Sequence, residues 1–160
     1  MIRLTLIGGE GKAAVLASAP YFRINGGAVW IGPGASDQHP LIRYVNGRWI
    51  SNGIAWYGMR FEGKSRLIFG LPRDPSGVSD ELESLSIQGA TLSANGIPFA
   101  EYDASRDMWR GAAATNWWHA FRVEMSGYRA PAPRSGENDA VASSTPDSSD
   151  DRRENSQRLN

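Results

Sequence analysis

The sequence contains no cysteine, which excludes a disulfide framework, thiolate metal sites and a cysteine nucleophile. It also lacks an excess of charge of either sign, because 17 basic and 17 acidic residues give a formal net charge of zero. A protein that binds nucleic acid mainly through phosphate contacts needs a basic surface. The composition therefore disfavours nucleic-acid binding.

Long apolar runs are absent as well. No stretch approaches the roughly 20 apolar residues of a membrane span. The first apolar run follows Arg3 and is interrupted by Gly8 and Gly9 before it reaches the length of a signal-peptide core. The sequence predicts a cytoplasmic protein without a membrane segment.

Aromatic residues are missing from residues 129–160, whereas the preceding residues hold all six Trp, all five Phe and all five Tyr. The C-terminal part is instead rich in Ser, Asp, Pro and charged residues. Such a composition cannot bury enough apolar surface to offset the entropy of ordering. The sequence predicts a globular domain at residues 1–127 and a disordered polar tail at residues 128–160.

Short apolar runs within the domain alternate with turn residues. Asn25-Gly26, Asn46-Gly47 and Asn52-Gly53 predict tight hairpins, because Asn and Gly tolerate positive φ angles. The pattern gives about ten short antiparallel strands and predicts an all-β fold, either a β-sandwich or a partly closed barrel.

Three segments carry more specific expectations. Residues 54–62 read as one strand, with Ala55, Tyr57, Met59 and Phe61 on its core face. Pro98 cannot donate to a β-ladder, so residues 97–102 are expected to form an edge strand or to begin pairing after the proline. Residues 117–125 alternate as a strand would, but apolar residues four apart leave a helix open.

Catalytic and metal-binding patterns are not found in the sequence. His39 is expected in a loop, and His119 in the core or half-buried, with neither in a metal-binding spacing such as H-x-H or H-E-x-x-H. No G-x-S-x-G motif occurs, and the acidic residues near strand ends are unspecific. The sequence predicts no enzyme, no metal and no cofactor; a small hydrolase is the least favoured function.

An arginine and aromatic set on neighbouring predicted strands is the most suggestive binding feature. If Arg43, Trp56 and Arg60 shared an outward face, they would form a shallow basic and aromatic patch able to hold an anionic or carbohydrate group. The competing interpretation places the Trp residues in the core with arginine side chains lying over them.

One family resemblance concerns turns in the first half of the chain. The order WIGPG, HP, NGRW and SNG resembles the forkhead-associated phosphopeptide-binding domain, with Ser36 three residues before His39 and an Asn52-Gly53 turn. Pro33 stands where that family has its phosphate-contacting arginine. The resemblance therefore implies a shared sandwich architecture and no more.

These observations predict a non-catalytic binding or structural module. It would engage a protein partner, or a second copy of itself, through a sheet face or edge. The alternative is a domain that binds an anionic or carbohydrate group on the patch of Arg43, Trp56 and Arg60. An unpaired long edge strand would favour protein association, and an exposed aromatic and basic surface would favour a small ligand.

Overall fold

The computed structural model describes residues 1–32, 39–70, 81–111 and 116–125, all within one compact unit, Met1–Tyr128. These residues form one 3₁₀ turn (Gly9–Gly11) and fourteen strands whose pairings are all antiparallel, which confirms the all-β prediction. The strands are β1 Ile2–Ile7, β2 Ala13–Ala19, β3 Tyr21–Asn25, β4 Ala28–Ile31, β5 Ile42–Val45, β6 Arg48–Ser51, β7 Ile54–Trp56, β8 Gly58–Phe69, β9 Glu81–Gln88, β10 Thr91–Ala94, β11 Ile97–Asp103, β12 Met108–Gly111, β13 Trp117–Trp118 and β14 Ala120–Met125.

The longest strand, β8, organises the sheet. Along one edge its first half pairs with β1 and its second half with β14, while the other edge pairs with β9. A register shift between Glu62 and Ser65 separates the two halves, where Gly63 takes a φ of 131°. The main path runs β13-β12-β11-β10-β9-β8-β14-β3-β4-β5-β6-β7, and β1 carries β2 as a side branch.

Two of the three predicted Asn–Gly pairs build tight turns as predicted, whereas Asn25 ends β3 and leaves Gly26 and Gly27 to form the turn before β4. Asn46 and Gly47 between β5 and β6 have φ angles of 49° and 85°, and Asn52 and Gly53 between β6 and β7 have 51° and 76°. Two consecutive positive φ angles define the turn whose twist matches that of a hairpin. Local turn chemistry therefore fixes the register of β5, β6 and β7.

Strands from the two halves of the main path contact each other, so the sheet folds over its own core. Trp49 and Trp109 are fully buried. The Trp49 indole N–H donates to the Gly89 carbonyl at 2.8 Å, which joins β6 to the turn between β9 and β10. The rings of Tyr44 on β5 and Tyr102 on β11 meet edge to face with centroids 5.0 Å apart.

The prediction of one strand over residues 54–62 is wrong, because Tyr57 interrupts it. The Tyr57 N–H donates to the Ile7 carbonyl at 2.9 Å, and its carbonyl accepts from the Gly89 N–H at 2.8 Å. This break resets the alternation of side chains. Tyr57 is 45% exposed and Ala55 is exposed, against prediction, while Trp56 points inward. Met59 and Phe61 are buried as predicted.

The prediction for residues 97–102, an edge strand or pairing that begins after the proline, is right for one side of the strand and wrong for the other. The strand β11 pairs with β10 from Ile97 onward, but with β12 only from Ala100 to Asp103, so Pro98 has no partner on the β12 side. The proline is accommodated because the register of β10 and β11 shifts where Ser93 faces Pro98. A bulge interrupts the ladder of hydrogen bonds, and proline inside a sheet is tolerated at such a position.

The strand interpretation of residues 117–125 is confirmed, with a break at His119 between β13 and β14. The predicted disordered tail, residues 128–160, lies outside the described residues. In the part of the chain that the structure describes, no helix is long and apolar enough to cross a membrane.

Candidate functional site

Trp56, the aromatic member of the predicted patch, faces the interior. It is 6% exposed and lies opposite the fully buried Trp49 in the β6–β7 ladder. The Lys12 ammonium lies 5.0 Å from the centre of its ring. Trp56 is therefore a core side chain with a cation over its ring, and it offers no open ring face to a sugar or a base.

Arg60 lies on β8 between β1 and β9, opposite Thr5 and Ser86. Its guanidinium is 3.0 Å from the Glu62 carboxylate, which also accepts a hydrogen bond from Arg3 at 3.2 Å. These side chains are between one third and three fifths exposed, so solvent screens the pairs and each contributes little to stability. Arg60 belongs to this surface ion-pair group.

Arg43 lies in a different place, on the outer side of β5. Its cross-strand neighbour is Ile50 on β6, and the Tyr44 and Trp49 pair points the opposite way into the core. Arg43 lines an open-sided groove of about 280 Å³, together with Leu16 of β2, Leu41, Val45 and Ile50. The structure thus does not bring Arg43, Trp56 and Arg60 onto one surface.

The groove is lined by apolar residues together with the polar Ser51 and Asn52, and it carries a single charge. Arg43 is its only charged lining residue, and this guanidinium makes no ion pair with any residue in the described ranges. Val45 is 45% exposed at the groove wall. A partly apolar depression with one unpaired guanidinium suits an apolar side chain with a carboxylate beside it.

The strand β2 borders this groove through Leu16 and forms a free edge of the sheet. It pairs only with β1 among the described strands. The register shift between Leu4 and Thr5 leaves Leu16 without a partner, so Leu16 is the extra residue of a bulge. Val15 is 61% exposed. The seven residues AAVLASA include neither a charge nor a proline.

The other two free edges in the described structure are much shorter. The edge strand β7 has three residues, and β13 has two. The chain continues from β7 into Tyr57, whose N–H and C=O are both bonded within the protein. The sequence predicted a strand near Ala13 but gave no signal that it would be an edge, because edge position depends on which distant strands pair.

A second charged group was not found by sequence reasoning. Arg66, Arg122 and Glu124 meet on one side of β8 and β14, and Arg23 of β3 lies beside Arg122. The available signal was the alternation along β3, where Arg23 stands between the buried Phe22 and Ile24. A pattern of this kind is typical of a charged outer face, and the burial of Arg23 was not predictable from it.

The two histidines lie in different segments, His39 before β5 and His119 between β13 and β14. His39 is exposed beside Pro40, as predicted for a loop residue. The prediction that His119 is buried or half-buried is wrong: it is exposed at the break between β13 and β14, and its carbonyl accepts the Gly26 N–H at 2.9 Å. Within the described ranges, no group of three or more His, Asp or Glu side chains is arranged to hold a metal ion.

The resemblance to the forkhead-associated domain rests partly on Pro33 and Ser36, which lie outside the described residues. Comparisons with protein-family models, with curated proteins and with solved structures each found no match for this chain. The geometry of the free edge and its groove therefore carries the functional inference.

Proposed function

We propose that this protein is a non-catalytic binding module that engages a protein partner by strand addition at β2. One observation carries the proposal: a seven-residue edge strand without charge or proline has only one strand partner in the described structure. Such an edge presents a row of backbone N–H and C=O groups to an incoming strand. The cytoplasmic setting stays a prediction.

The edge is built differently from edges that resist pairing. Proteins commonly protect edge strands with lysine, proline, bulges or very short length. Of these devices, β2 has only the bulge at Leu16; Lys12 and Pro20 lie just outside its two ends. The stretch from Ala13 to Val15 is regular and pairs with Ile7, Leu6 and Thr5 in an unbroken register.

The groove beside β2 would give the interaction its specificity. In strand addition the main chain supplies affinity, and pockets for alternate side chains supply selectivity. The groove joins apolar side chains to the unpaired guanidinium of Arg43. The partner is therefore an extended segment that places an apolar side chain in the groove and a carboxylate against Arg43.

A peptide-display selection with the full chain would test this proposal. Peptides selected on the natural protein should pair an apolar residue with an acidic one. Val15→Lys should weaken their binding about tenfold or more, a loss of about 1.4 kcal/mol, because a lysine on an edge strand opposes pairing. Arg43→Gln should remove the preference for the acidic residue.

Ile97→Lys is the matched control. Ile97 is 68% exposed, close to the 61% of Val15, but it lies on β11, where it pairs with Ala94 of β10 and does not line the groove beside β2. This variant should bind the selected peptides normally. Equal binding by the Val15→Lys variant would contradict the proposal. Sedimentation that shows a dimer dissociated by Val15→Lys would instead identify the occupant as a second copy.

The alternative, an anionic or carbohydrate ligand on Arg43, Trp56 and Arg60, has weaker support. Trp56 faces the core and Arg60 is engaged with Glu62. Arg43 lines the groove beside β2, and its role in the strand-addition proposal is to select a carboxylate. An anionic ligand is better supported at the second charged group, where Arg66, Arg122 and Glu124 meet beside Arg23.

A further inference from the structure

Three arginines and one glutamate share a side of three neighbouring strands, β8, β14 and β3. Arg66 of β8 pairs across the ladder with Glu124 of β14, Arg122 of β14 pairs with Arg23 of β3, and Arg23 pairs with Trp30 of β4. We call Arg23, Arg66, Arg122 and Glu124 the arginine cluster. Its members come from strands distant in sequence, so the fold itself assembles it.

The charges of the cluster do not balance. The Glu124 carboxylate accepts from Arg66 at 3.1 Å and lies 3.4 Å from the Arg122 guanidinium. Arg23 has no carboxylate partner among the described residues and lies over the Trp30 ring, 4.6 Å from its centre. Three guanidinium groups against one carboxylate leave a net charge of +2.

This excess positive charge is shielded from water. Arg23 is 7% exposed, and the side chains of Arg122 and Glu124 are 14% and 6% exposed. The loss of hydration lowers the pKa of Arg23. Burying an uncompensated charge is costly. Like charges directly opposite each other in a ladder add repulsion, and Arg23 and Arg122 are such a pair.

The cluster also contains guanidinium N–H donors that have no hydrogen-bond partner among the described residues. These donors are the Nε atoms of Arg23, Arg66 and Arg122, which are buried. A guanidinium offers five N–H donors in a planar fork that matches the oxygens of a carboxylate or phosphate. The Arg66 side chain is 37% exposed, which gives the cluster its open side.

We propose that the arginine cluster binds a small phosphate dianion, the class of inorganic phosphate and phosphate monoesters. A charge of −2 neutralises the net +2 of the cluster, which a single carboxylate does not. The bound oxygens would occupy the free guanidinium donors and separate the opposed charges of Arg23 and Arg122. This site is independent of β2 and its groove.

The test is NMR of the arginine Nε–H signals in the full chain during titration with inorganic phosphate, at ionic strength held constant with chloride. The signals of the cluster should shift and saturate. Arg23→Gln should weaken binding about tenfold or more, since a hydrogen bond to a charged group is lost. If that variant does not fold, Arg66→Gln, which alters a more exposed side chain, should weaken binding in the same direction.

Arg106→Gln is the matched control, because Arg106 also lies over a Trp ring, 4.7 Å from the centre of Trp117, and beside a carboxylate, 3.7 Å from Asp103. It should leave phosphate binding unchanged. Parallel titrations with O-phosphoserine and adenosine monophosphate identify the source of the group. If either binds more tightly than inorganic phosphate, the ligand is a monoester; if neither does, the ligand is inorganic phosphate itself. An absence of saturable shifts, or a loss of phosphate binding in the Arg106→Gln control equal to that in the cluster variant, would overturn the proposal.

Discussion

Two margins of the folded sheet differ in how their polar groups are hydrogen-bonded within the protein. At the closed margin, where the β3–β4 turn meets the β11–β12 turn, Asp107 accepts from the Gly27 N–H at 3.0 Å and from the Tyr102 hydroxyl at 2.6 Å. The Trp109 indole N–H donates to the Gly26 carbonyl at 2.8 Å. At the open edge, β2, no described strand pairs with the outer side.

The closed margin contributes to the fold, whereas the strand-addition proposal assigns the open edge to a partner. At the closed margin even the backbone is fitted to the contact: a Cβ on Gly26 would collide with the Asp107 carboxylate, and Asp107 itself has a φ of 53°. The open edge has no comparable specialisation. Changes at the closed margin should therefore cost stability, and changes at the open edge should cost binding.

The largest expected effect comes from Trp109→Ala. Trp109 is fully buried, with ring centroids 5.5 Å from Phe121 and 5.2 Å from Tyr102. Its removal should lower the free energy of unfolding by about 3–5 kcal/mol, because it leaves a large cavity. Urea unfolding measures the loss. Trp117→Ala, at a half-buried ring under Arg106, is the control and should cost far less; equal losses would contradict the distinction.

Asp107→Ala should have the next largest effect. It removes the acceptor for Gly27 and Tyr102 and places alanine at a positive φ angle, so unfolding should become easier by about 1–3 kcal/mol. Asp107→Asn keeps an oxygen acceptor and a residue that tolerates this backbone conformation, so its loss should be smaller. If both variants unfold at the same urea concentration as the natural protein, the turn contact does not close this margin.

Alkaline pH should weaken the closed margin through Tyr102. Burial and the hydrogen bond to Asp107 raise the pKa of Tyr102 above its ordinary value of 10.0. The folded state therefore holds the phenol proton where the unfolded state releases it, so stability is complete below pH 10 and falls as the pH rises further. Tyr102→Phe should show a shallower fall in unfolding free energy above pH 10. Parallel curves would mean that another group controls alkaline unfolding.

Val15→Lys should have the smallest effect on stability. Val15 is exposed on the open edge, so the free energy of unfolding should change by no more than about 0.5 kcal/mol. Thermal unfolding of the variant and the natural protein in the same buffer measures this. A loss of several kcal/mol would show that the edge is needed by the fold and that a binding defect in this variant has a structural cause.

The sequence was most informative where structure depends on neighbouring residues. Asn46-Gly47 and Asn52-Gly53 specify their turns through their own φ preferences, so the hairpins among β5, β6 and β7 were predictable. Tyr57 was not predictable as a break, because its backbone partners, Ile7 and Gly89, are distant along the chain. That one break turned Trp56 inward and removed it from the predicted patch.

The sites were less predictable than the strands for the same reason. Arg43 was predicted as a binding residue, and it does line a groove. The groove also requires Leu16 of β2, and no residue near Arg43 in the sequence indicates that β2 lies beside it. The arginine cluster needs β8, β14 and β3 to lie side by side. Strand order across such distances is set by long-range pairing, which a single sequence does not reveal.

Hydrogen exchange of the full chain, with and without a selected peptide, is the decisive test of strand addition at β2. The peptide should slow exchange of amides in Ala13–Ala19, while the amides of the other two edges, Ile54–Trp56 and Trp117–Trp118, should be unchanged. New protection should disappear in Val15→Lys and persist in Ile97→Lys. Protection at either short edge, or binding without any new protection in Ala13–Ala19, would contradict strand addition at β2.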